Sequence, residues 1–420
     1  MAILNKITNL NGFKETEIGM IPEDWEVAKF ENLVIGGKNN VGKIKQSSYK
    51  IFGKYPIVDQ GKNFIAGYCD DANLVYKGQL PVVIFGDHTR IFKFVDFPFI
   101  SGADGTKILQ PNTNLINPLY FYFALTNLDI PSRGYNRHYA LLREKFIPLP
   151  PLPEQKKIVA VLSAVQEAKE KTEEVIRAAK ELKKSLLEYL FTYGPVSPEQ
   201  AGNVTLKETE IGMIPEDWEV VKLKELHLDV SDGNYGEKYP RQSEFIDSGI
   251  PFIRANNIRD LKITWKDMRY ISEEKHEFLQ KGHLKFNDIL ITTRGEIGQV
   301  AFVDEEFVDC NINAQIVRIN TKDKIISKFF LYCLACEKSQ AQFYELKTGS
   351  TLQQLPVGRL LGLKVPLPPF DEQQKIAEIL SAVDKKIEAE ENKKKSLEDL
   401  FKTLLNNLMT GKIRVNNLEV

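Results

Sequence analysis

The segment SRGYNRHY at residues 132–139 places cationic, amide and aromatic side chains next to one another. Arginine can donate two hydrogen bonds to guanine in the major groove, asparagine can bond adenine in the same way, and tyrosine can pack on sugars or bases. The residues of these types are Arg133, Tyr135, Asn136, Arg137 and His138. The segment therefore predicts a loop that reads nucleic-acid bases, and a solvated loop without a ligand is the open alternative.

A second segment, TGSTLQQ at residues 348–354, offers hydroxyl and amide groups instead of charges, and glutamine also suits adenine. Its candidates are Thr351, Gln353 and Gln354. Arg90 after FGDHT and Arg294 in ITTRG each follow a strand that looks buried. For these two arginines, contact with DNA and pairing with a nearby carboxylate are both open.

Positive charge is concentrated in the first half of the chain. Residues 28–147 contain 15 Lys or Arg and 9 Asp or Glu, an excess that favours a polyanionic ligand. Lys43 and Lys45 belong to a lysine-rich strip that suits phosphate contacts, which position a protein on DNA without specifying its sequence. An ordinary soluble surface explains the strip equally well. The remaining DNA-binding candidates are His88, Tyr235, Arg241, Arg254, Asn256 and Asn257.

The sequence lacks the motifs of the enzymes that act on DNA. It has neither G-x-G-x-x-G after a strand nor G-x-x-x-x-G-K-[ST], and the aminomethyltransferase pattern [DN]-P-P-[YF] is approached only by LPPF at 367–370. Cys333 and Cys336 lie in an apolar run that suits core packing, and the five histidines show no metal-ligand spacing. We therefore predict no catalytic residue, no metal site and no cofactor in this chain.

Two segments occur twice. KETEIGMIPEDWEV stands at 14–27 and again, without a change, at 207–220. PLPPLPEQKKIVAVLSAV at 148–165 matches PLPPFDEQQKIAEILSAV at 366–383 in 12 of 18 positions. The order is first segment, variable block, second segment, and then the same again, so the chain is an internal duplication.

Each copy of the second segment leads from prolines into a long helical pattern. Apolar residues recur at steps of three and four, from Ile158 to Leu190 and from Ile376 to Leu408, as in a coiled coil. Polar residues interrupt both seams, at Lys169, Thr172, Lys183, Glu390 and Lys394. We predict that the two helices pair antiparallel, and two unrelated amphipathic surface helices are the alternative.

The two variable blocks share an order of predicted elements. PVVIFGDHTR, RIFKFVD and TKILQP in the first block correspond to DILITTRG, IGQVAFVD and NAQIVRIN in the second, and all six read as strands. A helix follows in each block, in NPLYFYFALTNL and in SKFFLYCLACEKSQAQFYEL, and a polar loop follows the helix. One scaffold with two different sets of loops is therefore predicted.

This arrangement resembles the specificity (S) subunit of type I restriction-modification systems. The resemblance covers essentially the whole chain and rests on IPEDWEV in each half, on LPPLPEQKKI and LPPFDEQQKI, and on GIPFIRANNI with ITTRGEIGQVAFVD. It implies that each variable block is a target-recognition domain for one half of a split, asymmetric DNA sequence. It also implies that the paired helices set the spacer between the two halves.

The resemblance further implies partners for the chain. Two methyltransferase (modification) subunits would dock on the repeated segments and restriction subunits would join them, so that S-adenosylmethionine and ATP with Mg belong to those partners. The docking candidates are Trp25, Trp218, Glu154, Gln155, Glu372 and Gln373. A coiled-coil scaffold that binds two proteins without reading DNA is the competing function.

The predicted fold is mixed α/β, with two target-recognition domains joined by two long antiparallel coiled-coil helices and related by pseudo-twofold symmetry. The expected divisions are 1–152 for the N-terminal segment and first recognition domain, 153–194 for the first helix, 195–370 for the linker, repeat segment and second recognition domain, 371–410 for the second helix, and 411–420 for the tail. Because the sequence has neither a signal-peptide core nor an apolar run long enough for a membrane span, we expect a cytoplasmic location.

Overall fold

The computed structural model describes residues 12–36, 42–102, 105–132, 134 and 136–416. Over these residues the chain divides into two compact units. Unit 1 contains the chain up to residue 173 and again from residue 392, and unit 2 contains residues 174–391. Each of the two long helices contributes residues to both units.

Unit 1 is built from short strands and three short helices in its described part, followed by the first long helix. The strands are β1 (Phe13–Thr16), β2 (Gly19–Pro22), β3 (Glu26–Lys29), β4 (Tyr55–Val58), β5 (Gly67–Cys69), β6 (Val82–Gly86), β7 (Phe92–Val95), β8 (Ile100–Ser101), β9 (Thr106–Leu109) and β10 (Phe146–Leu149). The helices are α1 (Phe30–Leu33), α2 (Pro118–Thr126), α3 (Tyr139–Arg143) and the long α4 (Leu152–Tyr193).

Unit 2 follows the same plan with more strands. These are β11 (Leu206–Thr209), β12 (Gly212–Pro215), β13 (Glu219–Lys222), β14 (Asp229–Asp232), β15 (Ile250–Ile253), β16 (Ile258–Arg259), β17 (Lys262–Ile263), β18 (Arg269–Ile271), β19 (Ile289–Thr292), β20 (Val300–Phe302), β21 (Asn311–Ile312), β22 (Ile316–Asn320) and β23 (Lys364–Leu367). The helices are α5 (Glu273–Phe278), α6 (Ser327–Ala335), α7 (Glu337–Leu346), α8 (Val357–Leu360) and the long α9 (Phe370–Met409).

The two units repeat one sheet topology. β6 lies between β7 and β9 and is antiparallel to both, and β19 lies in the same way between β20 and β22. β4 pairs antiparallel with β5 and parallel with β8, as β15 does with β18 and β21. The hairpins β1–β2 and β11–β12 share a register, with Thr16 opposite Gly19 and Thr209 opposite Gly212. The predicted mixed α/β fold with an internal duplication is confirmed.

Within each unit, the beginning of one long helix packs against the end of the other. In unit 1, Ile158 and Leu162 of α4 share a buried cluster with Leu408 of α9. In unit 2, Leu190 of α4 shares a buried cluster with Leu380 of α9. Both pairings place the N-terminal part of one helix beside the C-terminal part of the other, so the predicted antiparallel pairing is confirmed.

Charged groups flank these helix pairs where the seam is polar. In unit 2, Lys183 Nζ lies 2.6 Å from Asp384 Oδ1. In unit 1, Lys394 Nζ lies 3.0 Å from Glu173 Oε1, and Thr172 is buried with its hydroxyl donating to the carbonyl of residue 168 at 2.8 Å. The polar interruptions at Lys183, Lys394 and Thr172 are therefore accommodated by ion pairs and a backbone hydrogen bond.

One predicted helix is interrupted. The run from Ser327 to Leu346 forms α6 and α7 because Cys336 has an extended backbone, with ψ of 155°. Cys333 and Cys336 are both buried, which confirms their core role, and burial raises the pKa of both thiols. No helix in the described part of the chain is long and apolar enough to cross a membrane.

Candidate functional site

The two duplicated segments of the sequence bind each other inside unit 1. Trp25 follows the hairpin β1–β2 and is fully buried, and its Nε1–H donates to Glu154 Oε2 at 2.9 Å. Gln155, the next residue of α4, accepts from the Asn117 amide at 2.7 Å and donates to the Pro150 carbonyl at 2.8 Å. These bonds join the hairpin, the long helix and the start of α2. We call this contact between the two duplicated segments the Trp–Glu joint.

Unit 2 repeats this joint with the matching residues. Trp218 is fully buried and its Nε1–H donates to Glu372 Oε2 at 2.8 Å. Gln373 accepts from the Ile326 amide, just before α6, at 2.9 Å and donates to the Pro368 carbonyl at 2.9 Å. The matching Trp, Glu and Gln residues of the two copies therefore make the same internal contacts in both units.

These contacts restrict the predicted docking role of six side chains. Both indoles are buried, and Glu154, Gln155 and Gln373 are almost completely so. Their bonds are internal, so another protein cannot contact the two indoles directly in this structure. Docking on the duplicated segments stays a prediction, and it now concerns exposed neighbours such as Met20 and Met213.

An arginine that follows α9 in the chain adds ion pairs to the Trp–Glu joint of unit 1. Arg414 donates from Nε and Nη2 to Glu154 at 2.8 and 3.0 Å, and from Nη1 and Nη2 to Asp24 at 3.0 and 2.6 Å. Its guanidinium carbon also lies 5.7 Å from the centre of the Trp25 ring. The hydrogen bond from Arg414 lowers the pKa of Asp24, and the bond to Glu154 raises the pKa of Arg414.

The polar loop of unit 1 is fixed at both ends to the turn that follows β6. Where the loop begins, Arg90 Nη1 donates to the Ile130 carbonyl at 2.8 Å. Where it ends, the backbone amides of His138 and Tyr139 donate to Asp87 Oδ1 at 2.8 and 2.7 Å. The described residues at both ends of this loop are therefore attached to the turn after β6.

Asn136 and Arg137 are the exposed candidates of this loop. His138 is fully buried, and its Nδ1 lies 2.9 Å from the Asp87 carbonyl, so its side chain holds the loop and is not available to a base. Arg133 and Tyr135 lie outside the described residues. Of the predicted set, the structure therefore brings an amide and a guanidinium to the surface at one place.

Other candidates of unit 1 lie around the same turn or precede β4. The His88 amide donates to Gln60 Oε1 at 3.2 Å and the Thr89 hydroxyl donates to the Gln60 carbonyl at 2.6 Å, so the loop after β4 joins the turn after β6. Gln60 was not predicted, because it stands alone in the sequence and only the fold brings it here. Lys43 and Lys45 are exposed in the segment before β4.

Unit 2 fixes its loop in the same way. The Leu355 amide donates to the Thr293 carbonyl at 2.9 Å, as the His138 amide donates to the Asp87 carbonyl at 2.9 Å in unit 1. Thr348 and Gln354 exchange backbone hydrogen bonds of 2.8 and 2.9 Å that close the loop. The tip is exposed and contains the candidates Thr351 and Gln353.

Arg294 and Tyr235 lie beside this loop. Arg294 forms a β-bridge with Gln354, and its guanidinium carbon is 5.7 Å from the centre of the Tyr235 ring. The Tyr235 hydroxyl donates to the Ala314 carbonyl at 2.9 Å, and partial burial raises the pKa of this phenol. Three candidates from distant parts of the sequence thus form one exposed group that can donate to bases and stack on them.

The remaining candidates of unit 2 serve different purposes. Asn257 is fully buried, accepts from the Arg254 amide at 3.0 Å and donates to the Lys266 carbonyl at 2.8 Å, so it shapes a turn and cannot reach a base. Arg254 itself donates to the Asp267 carbonyl at 2.5 Å. Asn256 and Arg241 are exposed and stay candidates.

Comparison with known proteins gives matches in both halves of the chain. The family model described as the type I restriction modification DNA specificity domain matches residues 22–179 and again residues 215–399. The putative type I restriction enzyme MjaX specificity subunit of Methanocaldococcus jannaschii is 30% identical over 99% of this chain and 100% of that protein. The type I restriction enzyme MjaVIII specificity subunit of the same organism is 28% identical over the full length of both.

Solved structures share the fold. A type I restriction-modification S subunit from M. genitalium aligns with a TM-score of 0.60 at 17% identity, over 91% of this chain and 96% of that one. A structure from a study of complex assembly and conformational transition of the type I R-M system aligns with a TM-score of 0.53 at 16% identity, over 94% and 99%.

Proposed function

The chain belongs to the type I restriction-modification DNA specificity family, and from this membership we propose that each unit reads one half of a split DNA sequence. The chain is the sequence-reading subunit of such a system. The observation that carries this proposal is that both units hold the polar loop by the same kind of backbone hydrogen bond. The His138 amide donates to the Asp87 carbonyl in unit 1, and the Leu355 amide donates to the Thr293 carbonyl in unit 2. Because the exposed residues differ between the two loops, the two half-sites should differ.

The reading surfaces that we propose have different chemistry. Unit 1 offers Asn136 and Arg137, with Lys43 and Lys45 for phosphate contacts. Unit 2 offers Arg294 and Tyr235, together with the exposed loop residues Thr351, Gln353 and Gln354. Arginine suits guanine and amides suit adenine, so the second half-site should depend on hydrogen bonds to both.

The partners belong to the same proposal. We infer that two methyltransferase subunits and the restriction subunits assemble with this chain on double-stranded DNA in the cytoplasm. S-adenosylmethionine, ATP and Mg would be held by those subunits, which would also carry the catalytic groups. The paired helices α4 and α9 would set the spacer between the half-sites. Family membership gives no support to the alternative of a scaffold that does not read DNA.

The proposal is tested by mapping methylated adenines in cells that co-express this chain with its methyltransferase subunit. We expect a split asymmetric motif that is methylated only when both proteins are present. The motif gives both half-sites in one measurement. A stable complex of the two proteins without sequence-specific methylation would contradict the proposal and favour the scaffold.

Changing Asn136 and Arg137 together to alanine is expected to weaken binding to the mapped target. Each bidentate contact with a base contributes about 1–3 kcal/mol, which corresponds to a loss of about fivefold to more than a hundredfold per contact. The measurement is fluorescence anisotropy with a labelled duplex at a fixed salt concentration, because phosphate contacts depend on salt.

The matched control for the loop variant is Arg177→Ala, which removes an exposed arginine from α4. Its affinity for the duplex should equal that of the wild type. Both variants should bind the methyltransferase subunit normally. A loop variant that binds the target as tightly as Arg177→Ala would show that this loop does not read the DNA.

A further inference from the structure

Two histidines and an aspartate of unit 2 meet beside the sheet of β15, β18 and β21. His276 lies on α5, His283 follows that helix, and Asp309 precedes β21. Asp309 Oδ1 is 3.3 Å from His276 Nε2 and 3.7 Å from His283 Nδ1. The possible ligand atoms of the three side chains all lie within 4.8 Å of one another.

The ring nitrogen of His283 that faces away from Asp309 is already held by the protein. Its Nε2 lies 2.5 Å from the Leu279 carbonyl. Because a carbonyl oxygen only accepts, this nitrogen carries the ring proton, and Nδ1 keeps its lone pair toward Asp309 in the neutral ring. Histidines that bind metals are oriented by this kind of hydrogen bond from the second nitrogen to a backbone carbonyl.

His276 has a corresponding partner in Asn311. The Asn311 amide lies 3.4 Å from His276 Nδ1, and the Asn311 side chain is fully buried. Its Oδ1 has no hydrogen-bond partner among the described residues. As placed, Asn311 Nδ2 donates to His276 Nδ1 and the Nε2–H of that ring donates to Asp309. A 180° turn of the amide would give Nδ1–H an acceptor in Oδ1 and free Nε2 to bind a cation.

When both rings present a lone pair, the two imidazoles and the carboxylate face one point, an arrangement that a bound cation stabilises. In a tetrahedral site with Zn–N and Zn–O bonds of about 2.0–2.2 Å, neighbouring ligand atoms are about 3.3–3.6 Å apart. The two separations from Asp309, 3.3 and 3.7 Å, are close to those edges, and the two histidine nitrogens lie within 4.8 Å of each other. Imidazole ligands also favour transition metals over Mg²⁺ or Ca²⁺, which prefer oxygen.

We propose that His276, His283 and Asp309 bind one Zn²⁺ ion. The side chain of Asp309 is 75% exposed, so the ion can enter from solvent and a water molecule can complete the tetrahedron. The ligands are 7 and 26 residues apart and follow no motif, so no sequence pattern indicates this site. The fold brings them together through the pairing of β15 with β21.

The ion would have a structural role next to a proposed DNA contact. The segment between the two histidines includes Lys281, whose carbonyl accepts from Asn234 Nδ2 at 2.7 Å. Asn234 directly precedes Tyr235 in the chain. A metal that fixes His276 to His283 therefore also fixes the segment that supports the Tyr235 loop.

The test uses the full chain after treatment with a chelator and removal of that chelator. Zn²⁺ is titrated against a chromophoric competitor, and Co²⁺ is added separately because a tetrahedral site gives it a strong visible absorption. Hydrogen exchange of peptides from 273–283 reports whether the ion fixes this segment. We expect one ion per chain, tetrahedral Co²⁺ absorption and slower exchange in this segment with Zn²⁺.

Asp309→Asn and His283→Gln are expected to weaken Zn²⁺ binding by at least about tenfold, since even changes to residues behind the ligands cost about 10–100-fold at metal sites. The control is His227→Gln, which removes an exposed histidine of the same unit and should bind as the wild type. Because the Asp309 side chain is exposed, its variant should keep the fold, and exchange in β19 and β22 checks this.

Two results would overturn the proposal. One is a wild-type chain that binds no Zn²⁺ in the competition assay. The other is Zn²⁺ binding that stays unchanged in both Asp309→Asn and His283→Gln, since the ion would then lie elsewhere.

Discussion

Replacing Trp218 with alanine is expected to lower the free energy of unfolding of unit 2 by about 3–5 kcal/mol, as large core aromatics do. The indole is fully buried and packs in the main apolar cluster of the unit with Leu190 and Ile376, one from each long helix. The change also removes the donor to Glu372. It therefore loosens the hairpin from α9 as well as leaving a cavity.

Hydrogen exchange with mass spectrometry suits this measurement, because a chain with two units need not unfold in one step. Peptides from β11, β12 and the start of α9 should lose protection in Trp218→Ala. Trp218→Phe keeps most of the apolar volume but not the N–H. It should cost about 1 kcal/mol, the lower end of the range for an unpaired acceptor, because Glu372 is only partly buried.

Trp265→Ala is the control, because Trp265 is 44% exposed in the same unit and lies against Phe307 with ring centres 4.9 Å apart. Its loss should leave the protection of the joint unchanged. If Trp218→Ala lowers the protection of β11, β12 and the start of α9 no more than Trp265→Ala does, the Trp–Glu joint does not hold unit 2 together. Trp25→Ala makes the same test in unit 1, where Trp25 bonds Glu154.

The Trp–Glu joint shows which contacts local sequence patterns predict and which they do not. The perfect copy of KETEIGMIPEDWEV and the proline-led helices were visible, and periodicity predicted the antiparallel seam that the structure has in each unit. The contact of Trp25 with Glu154 spans 129 residues, and no periodicity connects two such positions. We predicted an external docking surface there because the pairing of the two duplicated segments could not be read from either one.

The candidate DNA-binding residues separate into exposed ones, which the local sequence predicts, and buried ones, which it does not. Exposed residues such as Arg137 and Gln353 fit the prediction, since polar loop composition is a local property. His138 and Asn257 have equally suitable side chains, yet both are buried, His138 against the carbonyl of Asp87 and Asn257 within its own turn against Lys266. The choice between reading a base and shaping a loop is made by hydrogen bonds that only the folded chain shows.

Arg414→Ala is expected to lower the free energy of unfolding of unit 1 by about 3 kcal/mol, the lower end of the range for removing one partner of a buried ion pair. Glu154 is 4% exposed, so its carboxylate would lose the cation that compensates its burial. The lower end applies because 30% of the Arg414 side chain is exposed. Arg414→Lys keeps the charge but not the set of hydrogen bonds to both Glu154 and Asp24. Its free energy of unfolding should lie between those of the wild type and Arg414→Ala.

The duplication supplies an internal control for this variant. The segment after α4, residues 194–205, contains no arginine or lysine, so Glu372 has no counterpart of Arg414 from that segment. Exchange should therefore rise in peptides around Trp25 and stay unchanged in the matching peptides around Trp218. Equal changes at both sites would show that Arg414 acts on the whole chain and not on its own joint.

Acid pH should remove part of the difference between wild type and Arg414→Ala. The pKa of Asp24 is lowered in the folded chain by the bond from Arg414, so its stabilising effect is complete above the unfolded value of about 3.9. That effect is lost as the pH falls through the lower folded value. Protection around Trp25 in the wild type should therefore approach that of the variant below about pH 4. A difference that stays constant as the pH falls further would show that the contact between Arg414 and Asp24 does not contribute to it.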